Sequence, residues 1–417
     1  MSRQYDIIIV GAGASGLTAS IHAARAKANV LILEHMDRAG KKILATGNGK
    51  CNFTNEKQGI AYYNGKNPAF VLPALRQFGV EDTLTFFDEL GIYPKKKREG
   101  YYYPSSGQAI SVVEALLMEC RRLRVRIAYN VGIREIKKEN EFFSFYTKQG
   151  IFISKCCIIA TGGKSARKTG SDGSGNLYIE KFGHKLTDIV PALVQMQGKQ
   201  SFLKDIAGIR ADGRVSIYIE NEKLAEDMGE LQLTDFGVSG IPAFQVSRYA
   251  SLALRKGNSV FVLLNFLPDL SREEAQILLE RRFLHYGKGK KAIQALTGLF
   301  PDKLNGVLLR EAFIPQDKAA GECTIEELEC LTETIQNLRV DIIGTKGFDH
   351  AQVSAGGVCT DEVNPTTMES RLVPGLYFAG EVLDIDGLCG GYNLQWAWSS
   401  GYAAGTQASV ACKAHCS

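Results

Sequence analysis

The chain has 417 residues, 45% of them hydrophobic, and a formal net charge of +4. That length favours two to three domains with ordinary cores, and the near-balanced charge argues against a protein built as a whole to bind a polyanion. No apolar run approaches the roughly 20 residues that cross a bilayer, and Ile7 to Val10 runs straight into glycines without a basic leader or cleavage pattern, so export is not expected.

The first predicted strand, Tyr5 to Val10, leads through Gly11, Gly13 and Gly16 into an Ala-rich helix over residues 15–28. This is the G-x-G-x-x-G spacing in which the first glycine makes the tight turn, the second admits a pyrophosphate to the backbone, and the third lets helix and strand pack closely. A second strand, Val30 to Leu33, ends in Glu34, where a carboxylate can accept from a ribose hydroxyl and would repel the 2′-phosphate of NADP. FAD and NAD share this fingerprint. Further along, "NGKCNFTN" carries Cys51 without a second thiol nearby, so a dithiol relay is not expected. The stretch "PKKKREGYYYP", Pro94 to Pro104, mixes bases and aromatics; a solvated or cavity-lining loop is preferred over a nucleic-acid groove.

Alternating segments in "GIREIKKENEFFSFYTKQGIFIS" lead to a strand ending in "IIATGG", which contains Thr161 and Gly162. A long insert follows, residues 191–345. Its first part, 191–268, alternates like strands, and its second part, 269–345, opens helices with capping boxes at Ser271 and Glu274 and at Thr324 and Glu327. The insert holds no second G-x-G-x-x-G, so a separate nicotinamide domain is not predicted. We expect the insert to roof a substrate cavity. Near the end, "GLYFAGEV" carries Gly380 and Glu381 and precedes a helix predicted to begin near Asn393, whose N-terminal dipole can face a bound group that gains negative charge. Ten scattered cysteines with no CxxC pair fit reduced thiols and a cytoplasmic location. The tail "CKAHC" offers too few ligands for a metal site, His184 reads as structural, and no metal is expected.

The early fingerprint, the central ATGG and the late Ala-Gly-Glu together resemble the two-dinucleotide-type flavoproteins of the glutathione-reductase and fumarate-reductase superfamily. The blocks "GKKILATGNGKCNFTN", "GSDGSGNLYIEKFGHKL" and Ser354 to Gly401 are similar, more narrowly, to the bacterial flavoprotein family labelled aminoacetone-oxidase-like or 3-dehydro-bile acid Δ(4,6)-reductase. The resemblance implies an α/β fold: a Rossmann-like FAD-binding domain formed from residues 1–190 and 346–417, interrupted by the β-rich and helical insert. It implies FAD contacts at Ala14, Ser15, Glu34, His35, Lys42, Ile133, Glu381, Asn393 and Leu394, with Ile133 bonding adenine through its backbone. Three segments depart from the family pattern: "YYYP" at Tyr101 to Pro104, Thr234 with Asp235, and Ala166 with Arg167.

Three functions follow. An FAD-dependent reductase would take hydride from a visiting NAD(P)H and pass it to the β-carbon of a lipophilic enone, with Tyr103 as a candidate proton donor. An amine oxidase would return its electrons to oxygen as peroxide. A flavoprotein with a nucleic-acid-modifying or scaffold role would use "KKKR" and "GKGKK" as contacts. The first is preferred, with a small-molecule substrate and no nucleic-acid partner.

Overall fold

The computed structural model describes residues 3–414 and divides the chain into two compact units, residues 1–189 with 352–417 and residues 190–351. The tail motif "CKAHC" ends beyond the described residues, at His415 and Cys416.

The first unit is built on a seven-stranded sheet. Strands Arg126–Ala128, Val30–Leu33, Arg3–Val10 and Gly150–Ile159 lie side by side in parallel, with buried runs from Ile7 to Ile9 and from Cys156 to Ile159 on the last two. Such two-sided burial is why these segments read as unbroken apolar runs. Gly150–Ile159 is long enough to serve two partners. Its first half pairs antiparallel with Phe142–Thr147, and its second half pairs parallel with Leu376–Phe378, delivered from near the chain end. The carboxyl ends of five parallel strands therefore open on one sheet edge, the place where open α/β sheets bind ligands.

The chain end is bound tightly to the chain start. Helix Tyr392–Ala414 packs on helix Ala14–Arg25 so closely that a Cβ on Gly401 would lie 2.6 Å from the Ser15 carbonyl oxygen, and one on Gly405 2.2 Å from that of Ala19. Two glycines one helical turn apart thus permit backbone-to-backbone contact. A small three-stranded sheet, Thr54–Asn55, Tyr101–Pro104 and Pro94–Lys96, flanks this domain.

In the second unit, six strands close into a barrel: Met196–Gly198, Gly237–Ser239, Glu222–Thr234, Arg210–Ile219, Val260–Asn265 and Leu338–Thr345, the last returning to the first. Both helices expected from capping boxes form, Arg272–Glu280 on Ser271 and Ile325–Gln336 on Thr324, each with its reciprocal glutamate bond. The sequence division put residues 338–345 with the helical part. They instead form the strand that closes the barrel, so the helices are an excursion between two barrel strands. Their alternation, Leu338, Val340 and Ile342 buried with Arg339 exposed, is a barrel-wall pattern. No helix among the described residues is long and apolar enough to cross a membrane.

Candidate active site

The glycine turn after the first strand is set by contacts a side chain could not make. Gly11 stands at φ 105°, and a Cβ there would lie 2.5 Å from the Ala160 carbonyl oxygen; one on Gly16 would lie 2.0 Å from the Gly11 carbonyl oxygen. Both glycines are packing requirements. Gly13 differs: a Cβ there would meet nothing within 4 Å, and it caps helix Ala14–Arg25 in an extended conformation without a side-chain bond. Open space over a helix N-terminus is what a pyrophosphate needs, so the turn fits a dinucleotide. Ala14 and Ser15 open that helix, and the Ser15 hydroxyl donates to the Ala379 carbonyl at 3.1 Å, joining the first loop to the last.

Glu34 is buried, and each carboxylate oxygen accepts a backbone N–H, from Ala12 and from Met36, both at 2.7 Å. It therefore ties the glycine turn to the end of the second strand, and the lone pairs left over remain for a ribose hydroxyl. His35 follows, half-exposed, with Nδ1 3.4 Å from Glu34. The segment carrying Ile133 runs beside this strand end, for Val131 N–H donates to the Glu34 carbonyl at 2.9 Å. The Ile133 carbonyl already accepts the Tyr178 hydroxyl at 2.7 Å.

A second cluster gathers at the other strand ends. Lys42, in the short helix Lys41–Ala45, places Nζ 2.6 Å from Glu381 and 2.7 Å from the Ser165 hydroxyl. The other oxygen of Glu381 accepts Ser354 N–H at 2.7 Å and the Ser165 hydroxyl at 2.9 Å. Gly380, at φ 81°, donates its N–H to the Ser400 hydroxyl and accepts Trp396 Nε1–H. Thr161 and Gly162 lie just beyond the strand Gly150–Ile159; the Thr161 hydroxyl is buried without a partner, and a Cβ on Gly162 would strike the Ser171 hydroxyl at 2.6 Å. Ser165, Ser354 and Ser400 escaped sequence reasoning. Serine spacing carries no signal of its own, although Ser354 opens one of the blocks that bear the resemblance.

The C-terminal helix starts at Tyr392, one residue ahead of the expected Asn393. Asn393 does not cap it. Its amide accepts Gly387 N–H at 2.8 Å and donates to the Gly387 carbonyl at 2.7 Å, pinning the preceding loop. Leu394 follows in the same first turn, whose N–H groups have no intrahelical acceptor.

Tyr103 sits on the strand Tyr101–Pro104, 3.3 Å from where a Cβ on Gly47 would lie, with the Lys97 ammonium 4.3 Å from its ring centroid. Burial raises its phenol above the ordinary value, so it holds its proton through the neutral range. Tyr101 shares its face by strand alternation and lies against Gly390 in the turn before the C-terminal helix, 3.0 Å from a Cβ built there. Cys51 is completely buried and its thiol is pushed up to about 12 by desolvation, which makes it a packed thiol rather than a thiolate. His184 is buried between Glu362 at 3.0 Å and Ser370 at 2.8 Å, a structural tie; burial lowers its pKa against the opposing pull of Glu362.

Parallel strand ends, an open glycine turn, an acidic second-strand terminus and a late loop closing on the first define an oxidoreductase built on an FAD-type Rossmann domain. The chain belongs to the HI0933-like family, whose Rossmann-domain description matches residues 5–407. It is 45% identical over 404 residues to a 3-dehydro-bile acid Δ(4,6)-reductase of Clostridium scindens, covering 96% of this chain and 98% of that protein. It is 32% identical over 401 residues to a ribosomal RNA dihydrouridine synthase of Escherichia coli, covering 96% and 97%. Among solved structures, a quinol-fumarate reductase shares the fold with a TM-score of 0.52 at 15% identity, covering 100% of this chain and 72% of that one.

Proposed function

We propose that the protein is an FAD-dependent reductase that saturates a C=C bond conjugated to a carbonyl, with a lipophilic enone such as a 3-dehydro bile acid as substrate and NAD(P)H as the visiting electron donor. The observation that carries this reading is the 45% identity, end to end, with a reductase named for that substrate. The second relative supports the same bond chemistry, since making dihydrouridine adds two hydrogens across a C=C conjugated to a carbonyl. FAD supplies a hydride carrier in the unit formed by the two chain ends. Gly13 would leave room for its pyrophosphate, Glu34 would accept from its ribose, and Lys42 with Glu381 and the C-terminal helix start would hold its ring.

Hydride arriving at the β-carbon leaves electron density on the carbonyl side, and the α-carbon then needs a proton. Tyr103 is our candidate donor: its half-buried phenol stays protonated at neutral pH, and the Lys97 ammonium over its ring steadies the phenolate left after transfer. A second reading, reduction of a uracil base in RNA, is favoured by the 32% relative and by the exposed run Lys95, Lys96, Lys97 and Arg98.

Anaerobic mixing of the yellow protein with NADH or NADPH tests the reading, followed by a steroid-enone panel, by unmodified ribosomal RNA, and last by an amine with oxygen. Bleaching by a nicotinamide and recovery by an enone is the expected result. Recovery only with RNA moves the substrate to the uracil base, and peroxide from an amine without enone turnover makes the protein an oxidase.

A further inference from the structure

Asn52 stands in a backbone fixed on both sides. Cys51 before it is buried in the left-handed region at φ 58° and donates its N–H to the Thr46 carbonyl at 3.0 Å. A non-glycine residue held there costs roughly 1–2 kcal/mol, so the surrounding structure imposes the turn. Phe53 after it is buried, donates its N–H to the Tyr102 carbonyl at 3.0 Å and accepts Trp398 Nε1–H at 2.8 Å. The side chain between these anchors ends in Oδ1, which is buried and has no hydrogen-bond partner. Folded proteins leave few such atoms, because each costs about 1–3 kcal/mol.

The position of that oxygen names its missing partner. A Cβ on Gly391 would lie 3.1 Å from it, and the Gly391 carbonyl accepts Gln395 N–H at 2.9 Å, which makes Gly391 the cap of helix Tyr392–Ala414. Glycine brings no capping side chain, so a lone acceptor stands beside a row of helix donors. A phosphate or carboxylate would suit the donors and be repelled by Oδ1. An imide edge, which presents an acceptor O2 next to a donor N3–H, satisfies both.

We propose that Asn52 is a flavin-positioning residue whose side-chain carbonyl accepts the N3–H of the isoalloxazine pyrimidine ring, while the helix start faces O2; this rests on the FAD reading above. A uracil base carries the same imide edge, so the test uses FAD and its analogue with no nucleic acid present.

Deflavinated protein is titrated with FAD and with 3-methyl-FAD, which lacks the N3 proton, following flavin fluorescence. The parent is expected to favour FAD at least 3- to 10-fold, about the worth of one neutral hydrogen bond. Asn52→Ala loses that preference and Asn52→Asp, which still accepts, keeps it. A readout independent of affinity is the ¹⁵N resonance of FAD labelled at N3, which should differ between the loaded parent and Asn52→Ala. Equal affinity of the parent for the two flavins, or one N3 resonance in both proteins, overturns the proposal while leaving the FAD reading intact. A parent that takes up neither flavin removes both.

Discussion

Lys42 Nζ meets Glu381 Oε2 at 2.6 Å across 339 residues of sequence, and the Ser165 hydroxyl bridges the two side chains. The pair is only partly buried, with side chains 26% and 16% exposed, so its own contribution to stability is about 1 kcal/mol or less. The role proposed for it is to hold the cofactor. Lys42→Met should shift the melting temperature of the apoprotein by a few degrees at most and weaken FAD binding by about 10-fold or more, the scale of a hydrogen bond from a charged donor. Unchanged affinity in a flavin titration would reduce the pair to a clamp between two loops.

The glycine turn yields a paired test. Ala at position 16 must displace the Gly11 carbonyl, 2.0 Å from its Cβ, and so separates helix from strand; Gly16→Ala should destabilise the apoprotein by about 3 kcal/mol or prevent folding. Gly13→Ala meets nothing within 4 Å, in a backbone conformation alanine adopts freely. It should leave apoprotein melting unchanged while FAD retention collapses, because the methyl occupies the pyrophosphate's approach. Equal loss of stability in both variants would mean that Gly13 is a packing residue too.

These residues also show where the sequence was legible. The glycine spacing, the strand termini and Glu34 are local features, readable because a strand, a turn and a helix follow one another within the first 34 residues. The Lys42 partnership is not local: nothing in either segment announces that a loop near residue 381 will meet a helix near residue 42. Glu34 was readable as an acceptor but not as the brace that also holds Ala12 and Met36 N–H, since side-chain bonds to backbone leave no periodic trace. The strand 338–345 was read with the helices because it follows them directly, while its barrel partners lie over 70 residues earlier at Val260–Asn265 and further still at Met196–Gly198. Tyr101 and Tyr103 were indistinguishable in "YYYP", and only pairing with the neighbouring strands sets Tyr101 beside Gly390 and Tyr103 beside Gly47.

His22 predicts how the first unit responds to acid. Its ring is enclosed by Phe78, Phe86 and Tyr402, and burial, helped by Arg25, lowers its pKa from 6.5 to about 3. Between those values the unfolded chain binds a proton that the native state refuses, so stability present above pH 6.5 is lost as pH falls. From pH 7 to pH 5 the loss from this group alone is about 2 kcal/mol, at about 1.4 kcal/mol per pH unit. His22→Leu should flatten that part of the pH dependence in urea titrations at the two pH values. A variant as acid-sensitive as the parent would show that the ring charges in the folded state.

Tyr103 carries the last prediction, which concerns the proton rather than the hydride. If its phenol protonates the α-carbon, Tyr103→Phe should slow enone-dependent flavin reoxidation by roughly 10²-fold or more, the usual scale of general-acid catalysis. Bleaching by NAD(P)H needs no such proton and should be nearly untouched. Because burial raises the phenol pKa above its ordinary value of 10.0, the parent's reoxidation rate should show no loss attributable to this group from pH 6 to 9 and should fall only where the phenol ionises, above that range. Tyr101→Phe is the control, since Tyr101 lies on the same strand face but against the Gly390 turn. A large loss in Tyr101→Phe with none in Tyr103→Phe would transfer the proton to Tyr101. No loss in either would remove both tyrosines from the proton transfer.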